Sequence, residues 1–429
     1  MVCARSRFRT LVAMPRAVDP ARARSAATGI VRALRSHGHE AYLAGGCVRD
    51  ELLGLRPTDY DVATDAVPDR IAALFPRTAH VGAAFGVVLV IQDDVPVEVA
   101  TFRSEGPYSD SRRPDRVKFS DARSDALRRD FTINGLFLDP LEGEPGEPGR
   151  VIDFVGGLAD LAARRLRAVG NPDERLAEDH LRALRAARFA ARLGFEIEPA
   201  TWEAVRRHAS SLRGVSRERI GQELRRMLTA PSRAEAATLV QRLGLDAPVL
   251  LEPHRGGPTP TLAALTGMPP AGVCLAAWAL DRHGDALDAA RVARAWRAAL
   301  CLSNDETDRL RDSLTGYQAL RDEFEGLGVA GQRRMLAREW TADAMGLLRA
   351  RPGPDPGLPD RLAARAAELA ARPPGIAPAP LVTGDDLAGA GLVPGPAFKG
   401  ILDAVYDAQL EGRVRTRDEA LELARALSV

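Results

Sequence analysis

Lysine is nearly missing from this 429-residue chain: of 59 basic residues only Lys118 and Lys399 are lysine, the rest arginine. A GC-rich genome explains that skew as readily as selection for phosphate contacts. Formal net charge is only +1, so no global basic excess marks a nucleic-acid partner, and such binding must come from local patches. Cysteine is scarce. Cys3, Cys47, Cys274 and Cys301 lie far apart with no Cys-x-x-Cys pair, which argues against a zinc module and a disulfide framework and fits a reducing cytoplasm. Long apolar runs are missing too, so neither a membrane span nor a signal-peptide core is expected.

What is present is an ordinary hydrophobic content of 45% spread over more residues than one core usually organises, so two to four domains are expected. Arg5, Arg7, Arg9 and Arg16 occur without an acid in the first 18 residues; residues 1–19 read as a disordered leader, with Met14 as an alternative start. Helical spacing covers 20–36. Short apolar runs then predict strands at Tyr42–Gly46 and Thr58–Ala63 and a hairpin from Val87–Ile91 and Val95–Phe102, with a helix over Val48–Leu53. Gly106–Ser124 is polar and reads as a mobile loop, and Glu142–Gly149 as a surface insertion. Beyond about residue 160 helical spacing dominates, at Leu176–Leu193, Thr201–His208, Arg217–Thr229 and Ser232–Leu243 among others. Between Asp160 and Met227 stand 15 Arg against 10 acids, a local positive excess. Pro and Gly clusters at 253–260, 351–359 and 372–380 read as joints. The expected class is α+β: a mixed head at 20–165, then an all-α neck at 166–250, body at 251–380 and tail at 381–429.

Chemistry concentrates in Gly45-Gly46-Cys47-Val48-Arg49-Asp50 and Asp59-Tyr60-Asp61. Residues two apart in a strand share a face, so Asp59 and Asp61 present two carboxylates side by side. Such a pair suits two divalent metals roughly 3.5–4 Å apart, which activate an attacking hydroxyl and stabilise a leaving phosphate. Mg²⁺, satisfied by a few carboxylates plus substrate phosphates, is the expected ion. Gly45 and Gly46 let a triphosphate approach backbone N–H groups at the start of a helix, and Arg49 adds charge. Glu98 sits in the middle of an apolar strand: it either stands beside the Asp pair or faces outward on an edge strand.

The sequence then resembles the class II tRNA nucleotidyltransferases and bacterial poly(A) polymerases of the DNA polymerase β-like superfamily. Five segments carry the resemblance in one order. Gly45-Gly-x-Val-Arg-Asp50 with Asp59-x-Asp61 is similar to the metal motif; Arg128-Arg129-Asp130-Phe131-Thr132-Ile133-Asn134 to the second, whose second arginine meets the nucleotide; Asp153-x-x-Gly156-Gly157-x-x-Asp160-Leu161 to a hinge-like third. Glu178-Asp179-x-x-Arg182-x-x-Arg185 resembles the base-reading helix, and Ser216-Arg217-Glu218-Arg219-Ile220-x-x-Glu223-Leu224 the fifth motif.

The resemblance implies a polymerase β-like head and template-independent addition of CCA to a tRNA 3′ end from CTP and ATP, with A-only or poly(A) addition as alternatives. On one continuous helix Asp179, Arg182 and Arg185 step round by about 60° each and offer a carboxylate and guanidiniums to the Watson–Crick edge of C or A. The carbonyl that G or U places there would be repelled by Asp179. Arg188 lies half a turn from Asp179 and joins this face by resemblance only. Tyr108–Pro114 corresponds to the flexible loop of enzymes that add A, and His80–Gly86 is closer to the tRNA enzymes than to poly(A) polymerases. None of the seven histidines precedes an Asp, so no His-Asp phosphohydrolase module is expected. Arg217, Arg219, Arg413, Arg415 and Arg417 are candidates for tRNA phosphates, and Thr416 with Glu419 reads as a capping box. No membrane and no protein partner is expected.

Overall fold

The computed structural model describes residues 19–82, 86–105, 117–143, 148–351, 353–392 and 395–428. The leader except Asp19, the loop at Tyr108–Pro114 and part of the His80–Gly86 segment therefore lie outside the described residues. The chain divides into two compact units, Met1–Val215 and Ser216–Val429.

The first unit opens with α1 (Pro20–Ser36), where Pro20 occupies the first turn and the Asp19 carboxylate accepts the Ala21 N–H. Then come β1 (Ala41–Ala44), α2 (Gly46–Leu52), β2 (Asp61–Thr64), α3 (Pro68–Leu74), β3 (Thr78–Gly82), β4 (Val87–Gln92) and β5 (Val95–Thr101). After β6 (Arg103–Glu105), β7 (Val117–Phe119) and α4 (Ala122–Leu127) the chain forms β8 (Leu136–Asp139), β9 (Arg150–Asp153) and α5 (Gly157–Ala162). The short β10 (Arg165–Leu166), α6 (Pro172–Glu178), α7 (Arg182–Leu193), β11 (Glu196–Ile197) and α8 (Pro199–His208) complete it.

Seven strands form one mixed sheet in the order β3-β4-β5-β2-β1-β8-β9. Only β2 and β5 pair in parallel; the neighbours on either side run antiparallel. The predicted hairpin is β4–β5, turned by Asp93 and Asp94 with φ of 52° and 59°, the left-handed pair that suits strand twist. Alternation sends Leu43, Val62, Val88, Val97 and Val99 to one face, against Ala27, Ile30, Leu34 and Ile71 of α1 and α3. Tyr42, Ala44, Ala63, Phe102 and Phe137 go to the other, with Ala122 and Ala126 of α4. The head is thus α+β, as expected.

Three expectations fail locally. The neck expected to be all-α carries β11, which pairs in parallel with β10. The strand expected over Thr58–Ala63 begins only at Asp61, so Asp59 lies in the connection before β2. The helix expected over Leu176–Leu193 is two helices, because Asp179 is extended (φ −145°, ψ 103°) and its carboxylate accepts the Leu181 N–H at 3.1 Å. A short polar side chain that bonds the backbone two residues on competes with helix continuation.

Every described element of the second unit is a helix, beginning with α9 (Arg217–Leu228) and α10 (Arg233–Arg242). Its centre is the pair Trp278–Trp296, both fully buried with centroids 5.7 Å apart. Their indole N–H groups donate to Gln241 and Glu252 at 2.7 and 2.8 Å, so burial leaves no indole donor unsatisfied. Near the C-terminus Val382, Leu387, Ile401, Val405 and Ala424 pack as a separate small core, and Thr416 and Glu419 form the expected capping box.

Candidate active site

The carboxylate pair owes its geometry to the residue between its members. Tyr60 is buried, 5% exposed, and donates its hydroxyl to Glu51 at 2.6 Å. With Tyr60 pinned inward, Asp59 and Asp61 both turn outward, so the pair shares a side although Asp59 precedes the strand. Antiparallel pairing places Asp61 opposite Ala44, the residue before Gly45-Gly46. Parallel pairing of Val62 with Val99, continued one residue back, places Asp61 beside Glu98. Strand β5 lies between β4 and β2, so Glu98 is not on an edge strand, although its side chain is exposed.

Asp61 keeps an exposed surface yet is densely surrounded by protein. That desolvation, with the charges of Asp59 and Glu98, pushes its pKa up to about 7 against the opposing pull of Arg129. Asp59 and Glu98 thus stand near enough to Asp61 for their charges to oppose its ionisation, which gives this end of the sheet a negative character. Among the described residues no three His, Cys, Asp or Glu side chains could hold a metal ion by themselves.

Gly45 has φ +74°, and a Cβ there would lie 2.8 Å from Arg129 Nη1. Its bareness therefore lets Arg129 cross the turn, a reason sequence reasoning did not supply. Arg129 donates to the Asn134 carbonyl at 3.0 Å and pairs with buried Asp125, which also holds Arg128. Asp125 was missed, although its spacing of three and four from the two arginines was visible. At Gly46 a Cβ would lie 3.7 Å from Arg49 Nη2, in ordinary contact.

Arg49 is 2% exposed and donates to Asp50 and to the Asn134 side chain, so it holds the motif together from within. Burial depresses its pKa, and Asp50 opposes that shift. The third motif buttresses the second. Asp153 accepts four backbone N–H groups from Val155 to Leu158, and Asp160 accepts the Thr132 hydroxyl at 2.7 Å. A Cβ on Gly157 would strike the Thr132 carbonyl at 2.3 Å, so only glycine permits this contact.

On the neck side the structure corrects one piece of geometry. Asp179 caps the break between α6 and α7 and does not share a continuous helical ridge with Arg182 and Arg185. Arg182, 8% exposed, donates to Glu178 at 2.6 Å and to the carbonyls of Arg175 and Arg128. Arg185 pairs with Asp130 at 2.6 Å, and Arg188 lies over the Phe189 ring at 4.2 Å. Asp130 is buried; burial would raise its pKa, but Arg185, Asn134 and Arg182 outweigh this and hold it far below the usual carboxylate range. Arg185 is thereby joined to the second motif.

The remaining basic candidates are spread widely. Arg217 donates to the carbonyls of Pro248 and Val249 at 3.1 Å, and Arg219 lies in the first turn of α9. Arg413, Arg415 and Arg417 are exposed at the turn before the last helix, with Arg413 on Glu411 and Arg417 on Asp386. No helix among the described residues is long and apolar enough to cross a membrane.

Known proteins align with this layout. The Poly A polymerase head domain family matches residues 41–167, and the family described as a probable RNA and SrmB-binding site of polymerase A matches 194–254. A CCA-adding enzyme of Geobacillus thermodenitrificans is 35% identical over 413 residues, covering 92% of this chain and 95% of its own. That of Geobacillus stearothermophilus is 35% identical over 404 residues, with the same coverage. The crystal structure of the Bacillus stearothermophilus CCA-adding enzyme in complex with CTP superposes with a TM-score of 0.74 at 31% identity, over 94% of this chain and 98% of that one. Polymerase β-like nucleotidyltransferases generally work with divalent metals. By sequence over nearly its whole length and by fold, the chain belongs to the CCA-adding enzymes, nucleotidyltransferases of the poly(A) polymerase head family.

Proposed function

We propose that this chain adds C, C and A to the 3′ end of tRNA from CTP and ATP without a template, with Asp59 and Asp61 holding Mg²⁺. The observation that carries the site assignment is the placement of Asp59 and Glu98 near Asp61, whose pKa burial and those two charges push up to about 7. The residues fit such an ion: two outward carboxylates and a third beside them, with the other coordination positions left to substrate phosphates. Bound there, divalent cations lower the cost of ionising the attacking hydroxyl and of charge on the departing pyrophosphate.

The chain's own residues do the rest. Arg129, held by Asp125, is placed to meet the triphosphate, and the Gly45-Gly46 turn leaves space for it. Glu98 adds a third negative charge beside the Asp pair and so strengthens its attraction for a divalent cation. Asp179, Arg182, Arg185 and Arg188 select C and A by hydrogen-bond pattern. Because Arg182 and Arg185 already donate to Glu178 and Asp130, base selection uses guanidiniums fixed in advance, which saves their ordering entropy on binding. Catalysis is positioning and charge stabilisation without a covalent enzyme intermediate.

The expected organisation remains head 20–165, neck 166–250, body 251–380 and tail 381–429, with Arg217, Arg219, Arg413, Arg415 and Arg417 toward tRNA phosphates. The compartment proposed is the cytoplasm. A-only or poly(A) addition is the alternative product. The test supplies tRNAs truncated before C74, after C75 and after A76 with each nucleotide singly and Mg²⁺. Stepwise C, C, A addition supports the reading; long A runs on RNA other than tRNA would sink it.

A further inference from the structure

Helix α7 meets the head at two turns and carries an aromatic ring between them. Arg185, Phe189 and Arg192 follow one another by four and three residues and so share one face. From Arg185 the polar contacts run to Asp130 Oδ2 at 2.6 Å, and Asp130 Oδ1 accepts from the Asn134 amide at 2.9 Å. Asn134 Oδ1 accepts from Arg49 Nη1 at 2.5 Å, Arg49 Nε donates to Asp50 Oδ1 at 2.8 Å, and Asp50 Oδ2 accepts from Arg192 Nη2 at 2.8 Å. This chain of side chains leaves α7 at Arg185 and returns to it at Arg192, closing a ring through the first and second motifs.

Phe189 stands within that ring. The guanidinium carbons of Arg49, Arg185 and Arg188 lie 5.1, 5.2 and 4.2 Å from its centroid, and Phe131 meets it edge-on at 5.9 Å. It is only 5% exposed. Packing alone would ask for volume, which leucine supplies as well. Three guanidiniums gathered on one ring ask for the negative face that only an aromatic offers, and burial strengthens that attraction.

We propose that Phe189 is a positioning residue for base selection, its ring fixing the guanidiniums of Arg185 and Arg188 relative to Arg49 in the metal motif. The inference rests on the reading of α7 as the base-selecting helix. It predicts that losing the ring while keeping its volume loosens selectivity before it loosens the fold.

The test compares Phe189→Leu, Phe189→Tyr, Arg185→Gln and the double variant Arg185→Gln/Phe189→Leu, measuring kcat and KM for CTP and UTP on tRNA lacking CCA, with melting temperatures. Phe189→Leu should lower the CTP-over-UTP preference about tenfold, the size of a desolvated cation–π contact, chiefly through a higher KM for CTP. Phe189→Tyr, which keeps the ring, should restore the preference, and in the Arg185→Gln background Phe189→Leu should change it less than about twofold, because coupled residues are not additive. A Phe189→Leu enzyme with a lower melting temperature and unchanged preference would overturn the proposal, as would a folded Phe189→Tyr enzyme as unselective as Phe189→Leu. If Arg185→Gln alone leaves the preference intact, α7 is not the base reader and both readings fall; if Arg185→Gln loosens it and Phe189→Leu does not, only the role of Phe189 fails.

Discussion

Asp61 and Glu98 stand side by side across the one parallel pairing of the sheet, β2 with β5, and burial, Asp59 and the Glu98 charge together make Asp61 harder to ionise. Their strands lie at the middle of the sheet, so backbone hydrogen bonding fixes this approach. The repulsion at Asp61 is a cost that a bound cation would relieve.

Asp61→Asn should abolish nucleotide addition, a loss of a thousandfold or more on the order expected when a central charge-stabilising group is removed. Its fold should survive. Because the raised pKa of Asp61 means that its charge destabilises the native state above the unfolded value near 4, the variant should melt no lower than wild type at pH 8 without metal. Adding Mg²⁺ should raise the wild-type melting temperature and leave the variant's nearly still. Calorimetry in chelator and in Mg²⁺ reads both.

Gly45→Ala places a Cβ at φ +74° and 2.8 Å from Arg129 Nη1. The backbone strain should cost about 1–3 kcal/mol. Arg129 is flexible at its tip and will yield, so the larger effect should be functional: a higher KM for CTP and ATP, measured by steady-state incorporation beside a denaturant melt.

Tyr60→Phe deletes the hydroxyl that reaches Glu51 and should cost about 1 kcal/mol of stability. If Tyr60 sets the outward turn of Asp59 and Asp61, activity should fall severalfold while nucleotide preference stays at the wild-type ratio. A Tyr60→Phe enzyme with full activity would leave Tyr60 as packing only.

Asp130 gives the acid limb of stability. Its native pKa is depressed, so its contribution is fully present above the unfolded value near 4 and is lost as pH falls through the native value. Asp130→Asn should cost about 2–3 kcal/mol at pH 7, because it leaves Arg185 without its buried partner. The gap between variant and wild type should narrow as the pH is lowered below 4, which urea melts across pH 3–7 would resolve.

Much of the head was legible because its signals are local. The β4–β5 hairpin announced itself by two β-branched runs around Gln92-Asp93-Asp94, and the last helix by Thr416 and Glu419. Asp59 and Asp61 were found by spacing, although the strand supposed to carry them starts at Asp61, and it is buried Tyr60 that keeps their alternation. The break at Asp179 was not legible: helical spacing of apolar residues runs through it, and only the carboxylate's bond to the Leu181 N–H ends α6. Phe189 carried no signal of its own in the sequence. Its meaning depends on Arg49, 140 residues earlier, and on Arg188 beside it, a coincidence that tertiary packing alone creates.

The most direct measurement is single-nucleotide incorporation by the purified chain on a tRNA that lacks its CCA end, with wild type and Asp61→Asn in parallel. The expected result is C, then C, then A from CTP and ATP, far slower addition from UTP or GTP, and nothing from Asp61→Asn. Incorporation by Asp61→Asn at the wild-type rate, or extended A addition to RNA other than tRNA, would contradict it.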